Sequence, residues 1–416
     1  MLLHAAGVVA VIACGLAGPA FAAEPDPVLG KAVFNNPAGS ETEQYAIFQQ
    51  LARVIDRVPA GEYLELSWFG FDTPYTTDTA SKPNLPQRLA RAHKRGVNVR
   101  IVLDNSKLKN SKAYPYKTLA PVLGTNDAAK SFIVLCPDKK GCLAKRKIYD
   151  DMYAYNHNKF LIASRIELDN GKNVSNVVFQ SSSNLGTWDA DTAWNNAVTW
   201  SETESFNNYH RYFGDLKANH DGKGNDNYYR VGSSSSTFKT HFFPRKETNG
   251  DLNQASTDTI VSVLDSVKCS YVGADKKKHQ TDVRVVMWAF TRVAVAKKLA
   301  ALARDGCWVD VAYTESKANV LAELKKTSGK KIGVTKCAVA FKGRNLRPHS
   351  KYMLIDGAYD GDLVPRIYMG SHNYAVSALR NADETMVRVK SSSIHASYLH
   401  NFYTVRDACS GKTPPK

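Results

Sequence analysis

Beyond its first two dozen residues the chain has no run long and apolar enough to span a bilayer as a helix, which excludes a polytopic helical membrane protein. None of its seven cysteines falls in a Cys-x-x-Cys spacing, which argues against a zinc cluster. Acidic residues are scarce: 39 Asp plus Glu face 55 Lys plus Arg, a formal charge of +16 over 416 residues. Such a surface favours anionic partners (nucleic acid, acidic lipid or a phosphate ester), although charge alone also serves solubility. What remains is ordinary for a water-soluble globular protein, 43% apolar and 23% charged. The length suffices for two domains or two fused repeats with sizeable cores.

Residues 1–22 read as a signal peptide, so the protein is expected to be secreted, into the periplasm or the medium. Leu2 to Phe21 is apolar or small apart from His4, and Ala20-Phe21-Ala22 gives a small-x-small cleavage pattern ahead of Glu24-Pro25-Asp26. The first few residues lack the usual Lys or Arg. Removal of this segment takes Cys14 with it and leaves Cys136, Cys142, Cys269, Cys307, Cys337 and Cys409. An even number in an exported chain points to disulfides. Six cysteines allow fifteen pairings, of which the short Cys136–Cys142 loop is the simplest.

The chain reads as two similar halves. Tyr63–Phe71 has the character of a strand, Leu85–Lys94 of an amphipathic helix, and Val97–Leu103, after Gly96, of a second strand. Val283–Phe290, Val295–Arg304 and Trp308–Tyr313, the last after Gly306, repeat that order. Strand, helix, strand with short glycine turns is a parallel α/β unit. Each half continues through another apolar segment, Phe132–Leu135 and Ala338–Phe341, towards a His-x-Lys. The polar, glycine- and serine-rich stretch from Asn219 to Ser236 separates them. The expected fold is α/β, with a first half over 23–235 and a second over 236–416 related by a pseudo-twofold, and one site at their interface.

The chemistry lies downstream of each unit. The first half carries His157-Asn-Lys159, then Ser182-Ser-Asn184, then Asn195; the second carries His349-Ser-Lys351, then Gly370-Ser371-His-Asn373, then Glu384. Asn195 and Glu384 each stand eleven residues past the preceding Asn. On a strand, residues two apart share a face, so each His and its Lys project together. One neutral imidazole can attack phosphorus to give a phosphohistidine, while a second, protonated one delivers a proton to the leaving oxygen. Two ammonium groups and two Asn amides can hold the non-bridging oxygens. Ser182 and Ser371 are candidates for substrate binding. Glu384 would orient a histidine ring, as the carboxylate of a catalytic triad does. This chemistry calls for no metal and no cofactor. One His-x-Lys means nothing; the whole string, twice, in corresponding places, points to function.

The string resembles the phospholipase D superfamily, marked by two copies of His-x-Lys-x4-Asp followed by Gly-Ser-x-Asn. His349, Lys351, Asp356, Gly370, Ser371 and Asn373 match in full; in the first copy Ser164 replaces the Asp and Ser181 the Gly. The resemblance implies two fused α/β/α halves and a structural role for Asp356. It also implies that the residue at Glu384 orients the histidine of the other half, which makes His157 the nucleophile and His349, facing Asn195, the general acid.

Three functions remain open. The first is a phospholipase D acting on phospholipid at a membrane surface and releasing phosphatidic acid, with Trp188, Trp194, Phe242 and Phe243 as candidate rim aromatics. The second is a nuclease, with nucleic acid tracked by Lys139, Lys140, Lys145, Arg146 and Lys147, then Lys342, Arg344 and Arg347. The third is a non-catalytic binding protein. Each chain holds a complete set of site residues, so a monomer without an obligate protein partner is expected.

Overall fold

The computed structural model describes residues 25–149, 151–233, 235, 237–327 and 332–415. The signal peptide expected over 1–22 lies outside the described residues.

Seven strands form the first sheet: Lys31–Phe34 (β1), Tyr63–Trp68 (β2), Asn98–Leu103 (β3), Phe132–Leu135 (β4), Lys159–Glu167 (β5), Asn173–Ser181 (β6) and Asn196–Ser201 (β7). Their order is β1-β7-β6-β5-β2-β3-β4. The chain then runs through the helix Thr203–Ala218 and enters a second sheet of eight strands: Arg230–Val231 (β8), Phe238–Phe242 (β9), Asp282–Phe290 (β10), Trp308–Ser316 (β11), Ile332–Lys336 (β12), Lys351–Asp356 (β13), Arg366–Gly370 (β14) and Thr385–Lys390 (β15). Here the order is β8-β9-β15-β14-β13-β10-β11-β12.

Six strands of each sheet correspond one to one. β2, β3 and β4 are parallel neighbours, as are β10, β11 and β12. The strand carrying the motif lysine runs antiparallel to the first of each trio, with Lys159 opposite Trp68 and Lys351 opposite Met287. The α/β halves inferred from the repeat are thus present, each with the topology of the other.

One element differs from expectation. The third parallel strand of the second sheet is Ile332–Lys336, whereas Val339–Phe341 forms a hairpin with Arg344–Pro348. Cys337 marks the reason. Its N–H donates to the Tyr313 carbonyl, as that of Cys136 does to Leu103, so each cysteine closes its edge strand. The more apolar segment after Cys337 has already left the sheet, and the strand before it carries too little apolar character to stand out.

The helices Ala46–Asp56 and Leu85–Lys94 cover the outer face of the first sheet, and Val293–Arg304 that of the second, each over an apolar core. Leu85–Lys94 starts where the Asn84 side chain accepts from the Gln87 N–H, with Pro86 in its first turn, and stops at Gly96 with φ near +94°. The inner faces of both sheets share a third core with the helices Thr203–Ala218 and Ser392–Cys409. Val102, Phe160 and Val198 meet there with Val286, Leu354 and Val387, and the rings of Tyr209, Tyr212 and Tyr398 fill the space between. Burial of that many large rings is a major share of what holds the halves together.

The halves also exchange backbone. Tyr155–Asn156 lies parallel to Ala382–Asp383, and Arg347–Pro348 lies parallel to Ala193–Trp194. Each motif histidine is therefore anchored by the other half: the His157 N–H donates to the Asp383 carbonyl at 2.8 Å, and the His349 N–H to that of Trp194 at 2.9 Å. Three disulfides add cross-links: Cys136–Cys142, the expected short loop, then Cys269–Cys307 and Cys337–Cys409.

Candidate active site

The backbone exchange brings each histidine against the residue just past the exchanged segment. His157 Nδ1 lies 2.9 Å from Glu384 Oε1. His349 Nδ1 lies 3.1 Å from Asn195 Oδ1. The Asn195 amide is fixed in turn: Oδ1 also accepts from Ser182 Oγ at 2.8 Å, and Nδ2 donates to the Asp189 carbonyl at 3.0 Å. An acceptor facing Nδ1 holds the hydrogen on that nitrogen and leaves Nε2 as the ring atom with a free lone pair.

Lys159 and Lys351 emerge from the sheets beside their histidines, and each ammonium donates to the carbonyl of the histidine two residues back, Lys159 to His157 at 2.9 Å and Lys351 to His349. Both lysines act on both rings. Burial, and then the charges of Lys159 and Lys351, hold the His157 and His349 imidazoles well below their usual range. Burial brings Lys159 down to about 7 and holds Lys351 well below its usual range, with Lys159 adding repulsion. The Glu384 carboxyl is pushed up by burial, against the pull of Lys159 and a hydrogen bond from Ser371. Burial thus disfavours the charged form of both imidazoles, both lysines and Glu384 alike. Two lysines side by side with two imidazoles favour an anionic ligand.

Sequence reasoning missed one member of this centre, Asp189. Its Oδ1 lies 3.3 Å from His349 Nδ1 and accepts from the Asn184 backbone and side-chain N–H groups at 3.0 and 3.3 Å. Burial lifts this carboxyl to about 6. Half-against-half comparison cannot find it, because the corresponding position of the second half is Ala378. Also missed were the ring walls. Phe69 and Tyr155 stand edge-on to His157, with centroids at 4.8 and 5.5 Å. Trp288 and Trp188 stand edge-on to His349 at 5.1 and 5.8 Å. Phe69 and Trp288 occupy equivalent places, each one residue past the partner of the motif lysine, Trp68 and Met287. Of the four aromatics proposed for a rim, Trp194, Phe242 and Phe243 are core residues and only Trp188, 39% exposed, reaches solvent.

The remaining candidates fall around the two rings. Asn184 is held by Asp189 beside His349, and Asn373 Oδ1 accepts from the Ala289 N–H at 3.2 Å. Ser182 and Ser371, read from the sequence as substrate contacts, are completely buried. Ser182 Oγ accepts from the Asn196 N–H as well as donating to Asn195, and Ser371 Oγ takes the N–H of Thr385, next to Glu384. Their hydroxyls hold the residues that hold the histidines. Asp356 ends β13 opposite Asp282, away from the two rings. At the corresponding point of the first half, Ser164 Oγ takes the Tyr63 N–H and donates to Glu62, so a hydroxyl secures the start of β2 there.

Two α/β halves that exchange backbone to build one centre with two histidines and two lysines define a protein of the phosphodiester-acting kind. The sequence matches the family model described as "Cardiolipin synthase, PLD-like domain" over residues 71–217 and 277–406, one stretch in each half and more than half of the chain together. The chain belongs to the phospholipase D superfamily. Among curated proteins no sequence matches it. The fold is similar to that of phosphatidylserine synthase from Haemophilus influenzae Rd KW20 (TM-score 0.56, 10% identity, 91% of this chain and 86% of that one). It is also similar to polyphosphate kinase from Porphyromonas gingivalis (TM-score 0.54, 12% identity, 92% of this chain), of which it spans about half the length, 54%.

Proposed function

We propose that the chain is an exported, metal-independent phospholipase D that hydrolyses phospholipid head groups to phosphatidic acid through a phosphohistidine. Two phospholipase D-like halves, over 23–235 and 236–416, would supply one site within a single chain. The observation that carries the reading is the cross-half pairing of each imidazole with an acceptor on the far half, His157 with Glu384 and His349 with Asn195 and Asp189.

In this reading Lys159, Lys351, Asn184 and Asn373 bind the non-bridging oxygens of the diester, and its negative charge restores the protons that burial has weakened on the cations. His157 Nε2 attacks phosphorus, and the phosphorus–oxygen bond to the head group breaks. His349 hands its proton to the departing oxygen. Water then attacks the phosphohistidine with His349 as base, releasing the phosphomonoester and restoring both rings. Lipid is favoured by exposed apolar side chains at the mouth: Trp188 beside His349, and Leu108, half exposed, which a methyl group on Gly70 would touch together with Asn184. Export is supported by three disulfides, which belong to oxidising compartments.

A nuclease is the second reading. Lys107 lies over the Tyr155 ring at 4.1 Å, and Lys139 and Lys147 each lie 5.2 Å from the exposed Tyr153 ring, a mix of cation and ring that suits a single strand. Mature protein given phosphatidylcholine vesicles and single-stranded DNA side by side in EDTA, with His157→Ala as control, separates the two by mass spectrometry. Phosphatidic acid from the intact protein alone is the expected result; cut DNA beside untouched lipid would replace the first reading with the second, and loss of all activity in EDTA would remove the metal-free mechanism.

A further inference from the structure

Among the described residues, Cys136, Cys142 and Asp383 gather closely enough to resemble a metal site. The two sulfurs are joined in a disulfide, and the aspartate is engaged in another way. Asp383 is fully buried. Its Oδ2 accepts from the N–H groups of Cys142 and Leu143 at 2.7 and 3.1 Å, and its Oδ1 from that of Ala144 at 2.7 Å. The three donors lie at and just past the second cysteine of the disulfide loop in the first half, whereas Asp383 belongs to the second. The loop is shaped for this approach: a methyl group on Gly141 would stand 2.7 Å from Asp383 Oδ2. The same residue takes the His157 N–H on its carbonyl and is followed directly by Glu384, which holds the His157 ring.

We propose that Asp383 is a positioning residue for His157, clamping the Cys136–Cys142 loop of one half to the segment of the other that delivers Glu384. Backbone and ring of His157 are then set by two consecutive residues, and the carboxylate of the first fixes where both stand. On the His349 side the corresponding residue is Trp194, whose indole is buried in the shared core. Burial pushes the Asp383 carboxyl up to about 7, and the three N–H groups oppose that rise. A carboxylate that accepts three backbone N–H groups is poorly replaced by an amide, which has one oxygen and turns a donor towards the loop.

The inference rests on the proposed function only for the role of His157, and its main readout needs no turnover. In histidine-labelled protein, a downfield Nδ1 proton is expected for His157, assigned by its absence in His157→Asn. In Asp383→Asn that signal should move upfield or vanish while the fold persists by near-ultraviolet circular dichroism. Gly141→Ala and Cys136→Ser/Cys142→Ser, which disturb the clamp from the loop side, should act in the same direction and decide the matter if Asp383→Asn does not fold. Hydrolysis of bis(p-nitrophenyl) phosphate should fall about 10–100-fold with each, the size seen when an outer partner of a site residue is removed. A folded variant with the wild-type His157 signal would overturn the inference. A signal that responds in a protein inert towards every diester would instead leave the clamp standing and remove the catalytic reading.

Discussion

The two histidines occupy equivalent places in equivalent halves, yet their surroundings differ at almost every contact. His157 has a single carboxylate, Glu384, with Phe69 and Tyr155 as walls, and a backbone anchor that is itself an aspartate. His349 has a carboxamide, Asn195, supplemented by Asp189 from a short helix, with two tryptophans as walls and a tryptophan as anchor. The two halves carry two copies of one string. In the proposed mechanism, what separates nucleophile from acid is the residues around the string, and those differ.

The largest effect should come from removing the rings themselves. His157→Ala should abolish turnover of every diester and leave no phosphoenzyme, a loss of at least about 10⁴-fold, the upper end of what one acid–base group supplies. His349→Ala should lose about 10²–10⁴-fold on an alkyl diester. It should keep far more on bis(p-nitrophenyl) phosphate, whose leaving group departs without a proton. Parallel kinetics on the two substrates check this. Equal losses for both variants on the p-nitrophenyl ester would erase the division of labour.

The carboxylates come next. Glu384→Gln should cost about a hundredfold in kcat, because a nucleophile loses basicity and a fixed tautomer together. Asp189→Asn should cost about tenfold, since Asn195 still holds the His349 ring and only the help to its protonated form is lost. The opposite ranking would exchange the two roles.

Aligned halves made the string legible because similar chemistry recurs in one order at similar spacing, and the β-α-β order because its helices carry strong periodicity. They could not show what one half has alone. Asp189 opposes Ala378, Trp188 opposes Ser377 and Asp383 opposes Trp194, so repetition gives no signal for any of them. The two serines are a related case. Spacing alone does not show what their hydroxyls hold: in the structure Ser182 is bonded to Asn195, and Ser371 takes the N–H of Thr385 beside Glu384. The segment Ala338–Phe341 looked like a sheet strand because composition cannot see that Cys337 has already ended the strand before it.

A smaller effect should separate the lysines. Lys159, brought down to about 7, is charged below that pH and loses its proton as pH rises through it, so a role in holding phosphate weakens towards alkaline pH. KM for a diester should therefore climb between pH 6 and pH 9, by at most about tenfold for each unit above the pKa of the lysine. Lys159→Arg, charged throughout, should flatten the rise even if its kcat is poorer. A wild-type KM independent of pH would mean that bound substrate holds the proton on Lys159 over the whole range.

The smallest effect tests the one place where the strings themselves differ. Gly370, at φ near +149°, has the Thr385 carbonyl 2.3 Å from where a methyl group would sit, so this turn admits no side chain. Ser181 occupies the same position in the first half without strain, donates to the Asn196 carbonyl at 2.9 Å and accepts the Ser183 N–H at 3.0 Å. The departure from the family string is therefore a different way of making the same turn: a side chain bridges two backbone groups where the second half brings its backbone close. Ser181→Gly should cost about 1–3 kcal/mol, mostly for the Ser183 N–H left buried without a partner. Gly370→Ser should cost more than that, since backbone strain and the clash with a carbonyl add together. Urea denaturation of the two variants checks the order. If Ser181→Gly were the more costly, the first half would depend on its hydroxyl more than the second depends on its glycine, and the two turns could not be read as alternative solutions to one geometry.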